Sequence, residues 1–569
     1  MKKRVVAALL AAMMAMASMV ACGKTEEQPD QKIDITINDP GQVDPDEKTP
    51  GVAESIAEKY REFLGNPYDD MVMESACVEA AECDDGGYVT NDLSSLPYVE
   101  YNTEKYSALE ESGFLSASLN PLSTFAADVD TASYSNFRRF VNSGYSLKDI
   151  PTGAIRTEEM VNYFNYDYNL PQKDEPFGLT TTISACPWNP DHALLVLGLK
   201  TADIDLQDAP NSNIVFLIDT SGSMYSEDKL PLLIDSFKLL LDELDENDKV
   251  SIVTYAGDDE IVLEGVPASE KDTICAALDN LEAGGSTNGG EGIISAYLLG
   301  EQNFIKGGNN RIILATDGDL NVGLTSESAL VDLVEEERES GIFLTVLGFG
   351  TGNYNDTNME ALADHGNGNY AYIDTLAEAK KVLCEELGGT LYTVAKDVKF
   401  QAEFNPAIVD SYRLIGFENR ELAAEDFVDD TKDAGEIGAG HDVTMVYEIV
   451  LNDGNYSGAD LKYQTAGLTD AALESGEWLT LKVRYKAPDG DTSKELSYPI
   501  GQESYTDAPS DDFKFVAAVC ELSGILHESN YVPTTLSDVK ARLETMDYNQ
   551  MDAYRLELVT LVDKLLIWE

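Results

Sequence analysis

From residue 210 onward the apolar positions change their period several times, and each change marks a different kind of element. Ile214 to Ile218 is an unbroken apolar run ending in Asp219, the pattern of a strand covered on both faces in a parallel sheet. Leu230, Leu233, Ile234, Phe237, Leu240, Leu241 and Leu244 then recur at helical spacing. Further strands are predicted at Lys249–Tyr255, 311–316, Phe343–Phe349 and Tyr370–Ile373. They alternate with helices at 270–281, 327–339, around 358–364 and 376–387. Strand–helix alternation of this length predicts an α/β domain over 210–390, a mostly parallel sheet with helices on both faces.

On either side the period is two. Residues 178–200 read as two strands, TTTISACPW and ALLVLGLK. After residue 395, DVKFQAEF, SYRLIGF, TMVYEIVL and WLTLKVRYKA alternate between Gly, Asp and Asn turns, predicting an antiparallel, sandwich-like domain over 395–505. Residues 506–569 return to helical spacing, with Val516, Val519, Cys520, Ser523 and Leu526 on one stripe and Leu556, Val559, Leu561, Val562 and Leu565 in a closing helix. The strands at 178–200 have no obvious partner before residue 210, and an unpaired edge is a liability. They are therefore expected to share one β-domain with the strands after 395, the α/β domain being inserted between them. An N-terminal domain is expected over 119–205, with a strand at Phe125–Val129 and a helix at Tyr134–Val141. Residues 51–118 carry little pattern beyond a short amphipathic helix at 52–64.

A chain of 569 residues holds two to four domains. Its 39 basic and 103 acidic residues give a net charge of −64, which disfavours nucleic acid, anionic lipid and other polyanions. Lys2, Lys3 and Arg4 precede an apolar stretch that ends at Met19, Val20, Ala21 and Cys22, a secretory signal pattern over 1–22. Its end resembles a bacterial lipobox, which implies cleavage and lipidation at Cys22; an ordinary cleavage site and an uncleaved anchor are the alternatives. Residues 23–50, rich in Asp, Glu, Gln, Pro and Thr, read as a flexible acidic tether. Among the other cysteines, Cys77 and Cys83 are spaced for a local pair, and Cys275 and Cys384 fall in helical patterns as buried thiols.

The chemistry concentrates where apolar runs stop. Asp219, Ser221 and Ser223 follow the first buried strand at alternate positions and offer one carboxylate and two hydroxyls. Such hard oxygen donors suit Mg²⁺; the plainer alternative is a turn with a Ser cap opening the next helix. GGSTNGG, at Gly284 to Gly290, supplies Thr287, and RIILATDGD ends a second buried strand in Asp317 and Gly318. Asp128, Asp130 and Ser133 suggest a second metal site, but no other acidic residue is spaced to complete it, so a strand end and helix cap is preferred.

The order D-x-S-x-S, then T, then T-D-G resembles the metal-ion-dependent adhesion site (MIDAS) of von Willebrand factor A (VWA) domains. The resemblance implies that Ser221, Ser223 and Thr287 approach the metal while Asp219 and Asp317 act mostly through waters, with Mg²⁺, or Mn²⁺ or Ca²⁺, as the cofactor. STFAADVDTASYSNFRRFVNSG, RTEEMVNYF, NGNYAYID, YRLIGFENR and DAGEIGAGH further resemble the YfbK-type family of bacterial VWA lipoproteins. There an N-terminal YfbK domain, a VWA domain and a C-terminal domain of unknown function follow one another, over what are here residues 105–569.

With four histidines, and no HExxH, G-x-S-x-G or Walker A motif, no catalytic constellation stands out and no enzyme is expected. The expectation is a surface-anchored, metal-dependent, adhesion-like protein-binding module. Its partner is a protein presenting an acidic side chain to the metal, and its only hold on the bacterial cell membrane is the lipid anchor, facing the surface or periplasm. The alternative is an envelope assembly or activation factor working with an AAA-type ATPase; a metal-dependent hydrolase is the third reading.

Overall fold

Strands β1 (Leu115–Ser116) and β2 (Leu122–Ala126) are followed by helices α1 (Ala132–Asn142) and α2 (Thr157–Asn162), then by the hairpin β3 (Phe177–Cys186) and β4 (Asn189–Thr201). The structure, a computed structural model, describes residues 103–568 apart from 174, 205–208, 258, 286–288, 319–326, 453–467, 489 and 491. The expected signal segment with Cys22, the tether, the helix at 52–64, Cys77 and Cys83 lie outside the described residues, as does Thr287.

The α/β domain runs through β5 (Ser212–Asp219), α3 (Leu230–Glu243), β6 (Lys249–Tyr255), β7 (Asp259–Pro267), α4 (Lys271–Asp279), α5 (Gly289–Gln302), β8 (Asn309–Thr316), α6 (Glu327–Glu337), β9 (Phe343–Phe349), α7 (Asp356–His365) and β10 (Tyr370–Ile373). Helix α8 (Leu376–Lys380), a π-helical turn at Lys381–Glu385 and α9 (Leu387–Leu391) replace the single helix expected at 376–387. The sheet order is β10-β9-β8-β5-β6-β7, and every neighbouring pair is parallel except β6 and β7. All eight residues of β5 are buried, because helices cover both faces. Phe216 stacks on Phe237 of α3 at 4.1 Å between ring centres, fixing that helix against the sheet. The antiparallel edge strand β7 is absent from the sequence reading. Its residues are only partly buried, so it carries no continuous apolar run.

The chain then forms β11 (Thr393–Phe404), β12 (Val409–Ile415), β13 (Gly435–Gly438), β14 (Asp442–Leu451), α10 (Asp470–Glu474), β15 (Glu477–Lys486) and β16 (Lys494–Gly501). One sheet has the order β1-β12-β14-β4-β3; in the other, β13, β11, β15 and β16 are joined by β2, which also pairs with β11. Strand β4 pairs with β14 along its length, with Val196 opposite Val446. The hairpin at 177–201 therefore belongs to the same sandwich as the strands after 393, and the α/β domain is inserted between them. Leu195, Leu197, Phe400, Met445 and Leu481 lie in the core shared by the two sheets. Helices α11 (Asp511–Leu526), α12 (Leu536–Leu543) and α13 (Ala553–Trp568) join α1 and α2 in a second core. That core also takes in Leu194, Val196 and Val446, whose side chains leave the other face of the first sheet. Helix α11 is buried nearly all round rather than along one stripe, because it is enclosed by this helical layer and the sheet.

Candidate metal centre

Strands β6 and β8 flank β5 on opposite sides, so the chain changes direction across the sheet between β5 and β8. At such a switch point the loops beyond the carboxyl ends separate and leave a crevice. Because Ile218 pairs with Ala315, β5 and β8 end level, and Asp219 and Asp317 leave the sheet side by side. Both are buried, at 0% and 1% exposure.

Asp219 is held from two directions. Its Oδ1 accepts the Ser221 amide at 2.9 Å and its Oδ2 the Thr316 hydroxyl at 3.0 Å. Burial, and then the charge of Asp317, push its carboxyl up to about 6 against the pull of those hydrogen bonds. Ser221 Oγ lies 2.9 Å from Ser223 Oγ, and Ser223 reaches the exposed rim. The glycine-rich loop is pinned to this turn: Gly284 donates to the Thr220 carbonyl at 2.8 Å and Gly222 to the Gly285 carbonyl at 3.3 Å. Gly285 takes φ +84°, the left-handed region that glycine enters at no steric cost.

A third loop completes the site and is absent from the sequence reading. Lys229, buried at the start of α3, donates to Asp317 Oδ2 at 3.0 Å and to Asn353 Oδ1 at 2.7 Å. Its stem lies flat on Gly350 (φ +76°), where a Cβ would come within 2.3 Å of Lys229 Cγ and Cε. Gly318 (φ +92°) likewise admits the backbone of Asn355, whose nitrogen would lie 2.6 Å from a Cβ. The available signal is the glycine density of GFGTG at 348–352. The donor set fits a hard divalent cation: carboxylate and hydroxyl oxygens converge, and an ammonium already stands as a cation against Asp317. Among the described residues, no histidine hydrogen-bonds to Ser221 or Ser223, the geometry a serine nucleophile needs.

Contrary to the expectation from local spacing, further acidic residues do gather at Asp128: the carboxylates of Glu159 and Glu360, with one oxygen from each of the three within 4.8 Å of the others. They come from α2 and α7, so no local spacing announces them. Two arginines fill the cluster. Arg156 binds Glu159 at 2.8 Å and both Asp356 and Glu360 at 2.6 Å. Arg420 binds Asp128 at 2.8 Å and Glu360 at 3.2 Å, and also Asp364. Ser133 faces away from a metal role: its amide donates to Glu159 and its hydroxyl accepts the Arg156 amide. The cluster is an ionic latch joining α2, α7 of the inserted domain and the loop after β12. Cys275 and Cys384 also depart from expectation. They are half-buried, lying on helix faces at the domain surface, whereas Cys186 and Cys520 are buried.

Three family models match: von Willebrand factor type A domain over residues 213–383, "Uncharacterized protein YfbK, C-terminal" over 389–566, and von Willebrand factor over 100–196. The uncharacterized protein YfbK of Escherichia coli K12 is 43% identical over 469 residues, 81% of each chain. Human inter-alpha-trypsin inhibitor heavy chain H3 is 27% identical over 191 residues, 32% of this chain and 21% of its own length. A von Willebrand factor type A structure from Catenulispora acidiphila covers 70% of this chain and 91% of its own at 13% identity, with a TM-score of 0.37.

Proposed function

This chain belongs to the YfbK family of proteins with a von Willebrand factor type A domain, and from that premise we propose that it is a binding protein. Its inserted domain would capture a partner protein through a divalent cation. One observation carries the reading: the buried carboxylates of Asp219 and Asp317 converge with the hydroxyls of Ser221 and Ser223 where β5 and β8 end side by side.

Mg²⁺, or Mn²⁺ in its place, supplies a concentrated positive charge there when bound and leaves room for one more oxygen ligand. The residues of the chain set up that role. The Ser221 amide and the Thr316 hydroxyl fix the Asp219 carboxylate. Ser221, Ser223 and Thr287 offer neutral oxygens, which hold a cation without cancelling its charge. An Asp or Glu of the partner then completes the ligand set. The net charge of −64 repels such a partner at long range, so added salt weakens binding little or strengthens it. The chain would be held at the outer face of the cell membrane by lipid on Cys22.

The test is a thermal melt of the full chain with and without Mn²⁺. A ligand that binds only the native state adds about 2.7 kcal/mol at a hundredfold excess over its Kd. The parent should gain stability, and Asp219→Ala with Asp317→Ala should lose the gain. A double variant that responds as the parent does would place the metal elsewhere and sink the proposal.

A further inference from the structure

We propose that Lys229 is an internal counter-cation that competes with the bound metal for Asp317, and that the strap at 103–107 sets how firmly it does so. The inference rests on the metal-binding reading above.

Three observations lead to it. First, among the described residues Lys229 has one carboxylate partner, Asp317, and that carboxylate belongs to the metal site itself. Both side chains are almost fully buried, at 6% and 1% exposure, so solvent screens the pair little. Secondly, the lysine is aimed rather than merely present. Gly350 leaves room for its stem, and Asn353 Oδ1 takes a second ammonium hydrogen at 2.7 Å. Thirdly, the loop carrying Gly350 and Asn353 is gripped from outside by a segment distant in sequence. Thr103 donates to the Gly352 carbonyl at 2.7 Å, Glu104 Oε1 accepts the Gly352 amide at 3.0 Å, and Lys105 donates to the Tyr354 carbonyl at 3.0 Å. Glu104 is itself fixed by Arg139 of α1 at 2.9 Å. A contiguous set of contacts thus runs from α1 through the strap and the loop to Asp317.

The consequence is electrostatic. An ammonium and a divalent ion sharing one carboxylate lie about 6 Å apart if the ion touches the carboxylate and about 8 Å apart if a water lies between. At the effective dielectric near buried groups, well below that of bulk water, such a pair repels enough to weaken binding at least about tenfold. Loosening the strap would let Asn353 move off the lysine, let the ammonium leave Asp317, and so raise metal affinity.

The experiment is calorimetric titration of Mn²⁺ into the full chain. Lys229→Met, which keeps the length of the stem and removes the charge, should bind Mn²⁺ at least about tenfold more tightly than the parent. Lys229→Arg should stay near the parent. Glu104→Gln should tighten binding by a smaller factor, and that factor should vanish when combined with Lys229→Met, since both act through one ammonium. Asn353→Ala, which leaves the lysine in place, provides a second perturbation if Lys229→Met unfolds, and should also tighten binding. Near-ultraviolet circular dichroism of the metal-free variants checks that each is folded. A Lys229→Met protein that binds Mn²⁺ equally or more weakly overturns the inference while leaving the metal site intact. Additive effects of Glu104→Gln and Lys229→Met would remove the strap from the device. A parent that takes up no Mn²⁺ overturns both this inference and the proposed function.

Discussion

Replacing Arg156 by methionine should be among the most damaging single changes in this protein. The side chain is 1% exposed, and its guanidinium touches Glu159 at 2.8 Å and Asp356 and Glu360 at 2.6 Å each. Those carboxylates are themselves 0%, 2% and 9% exposed, so removing the cation leaves three buried acids with no water to turn to. Arg420 still reaches Glu360, but it already serves Asp128 and Asp364. Breaking a buried ion pair on one side costs about 3–5 kcal/mol. A domain the size of the inserted one loses about 2–4 °C of melting temperature per kcal/mol, so the fall should be roughly 6–20 °C.

The pH dependence supplies the sharper test. Burial pushes the Glu360 carboxyl up to about 8 even with both arginines beside it, against an ordinary value of 4.5. An acid raised on folding holds its proton more tightly in the native state. Its stabilising contribution is therefore full below about 4.5 and is lost as pH rises through about 8. Removing Arg156 raises the folded value further, so the damage should be larger at pH 8.5 than at pH 5. The assay is paired thermal and urea unfolding of parent and variant at those two pH values. A loss under about 1 kcal/mol at pH 8.5, or an equal loss at both, would refute the picture of a charge-balanced latch.

Two further outcomes follow from single residues. Gly350→Ala should cost about 1–3 kcal/mol, since φ +76° is left-handed and the new Cβ meets the Lys229 stem at 2.3 Å; a melting temperature equal to the parent's would show that the loop relaxes freely. Cys22→Ser should release the protein from membranes into the soluble fraction on fractionation, because lipid there is the proposed anchor; retention in the membrane pellet would point to an uncleaved helix.

Much of the architecture was legible because burial imposes a period on the chain. Strands Lys249–Tyr255, Phe343–Phe349 and Tyr370–Ile373 were read with the bounds they have in the structure, each being apolar enough to stand out between polar turns. The insertion was also readable, since two strands at 178–200 lacked partners until the strands after 393 supplied them. Four of the described strands escaped. β1 is only two residues long, β7 and β16 are edge strands with half-exposed residues, and β13 is a four-residue segment with glycine at both ends. None buries enough apolar surface to leave a period.

The chain by itself therefore determined the α/β domain, most strands of the sandwich around it and the oxygen-rich turns at Asp219 and Asp317, because each follows from residues close together in sequence. Tertiary structure alone decided which distant charges meet. Lys229 reaches Asp317 and Asn353 across 88 and 124 residues, and Arg156 reaches Asp356 and Glu360 across 200 and 204. The acidic residues are many, and only the packing of α2 and α7 selects the few that share a guanidinium. Local pattern reports how a segment is buried; which charge neutralises which depends on distances that exist only once the chain has closed.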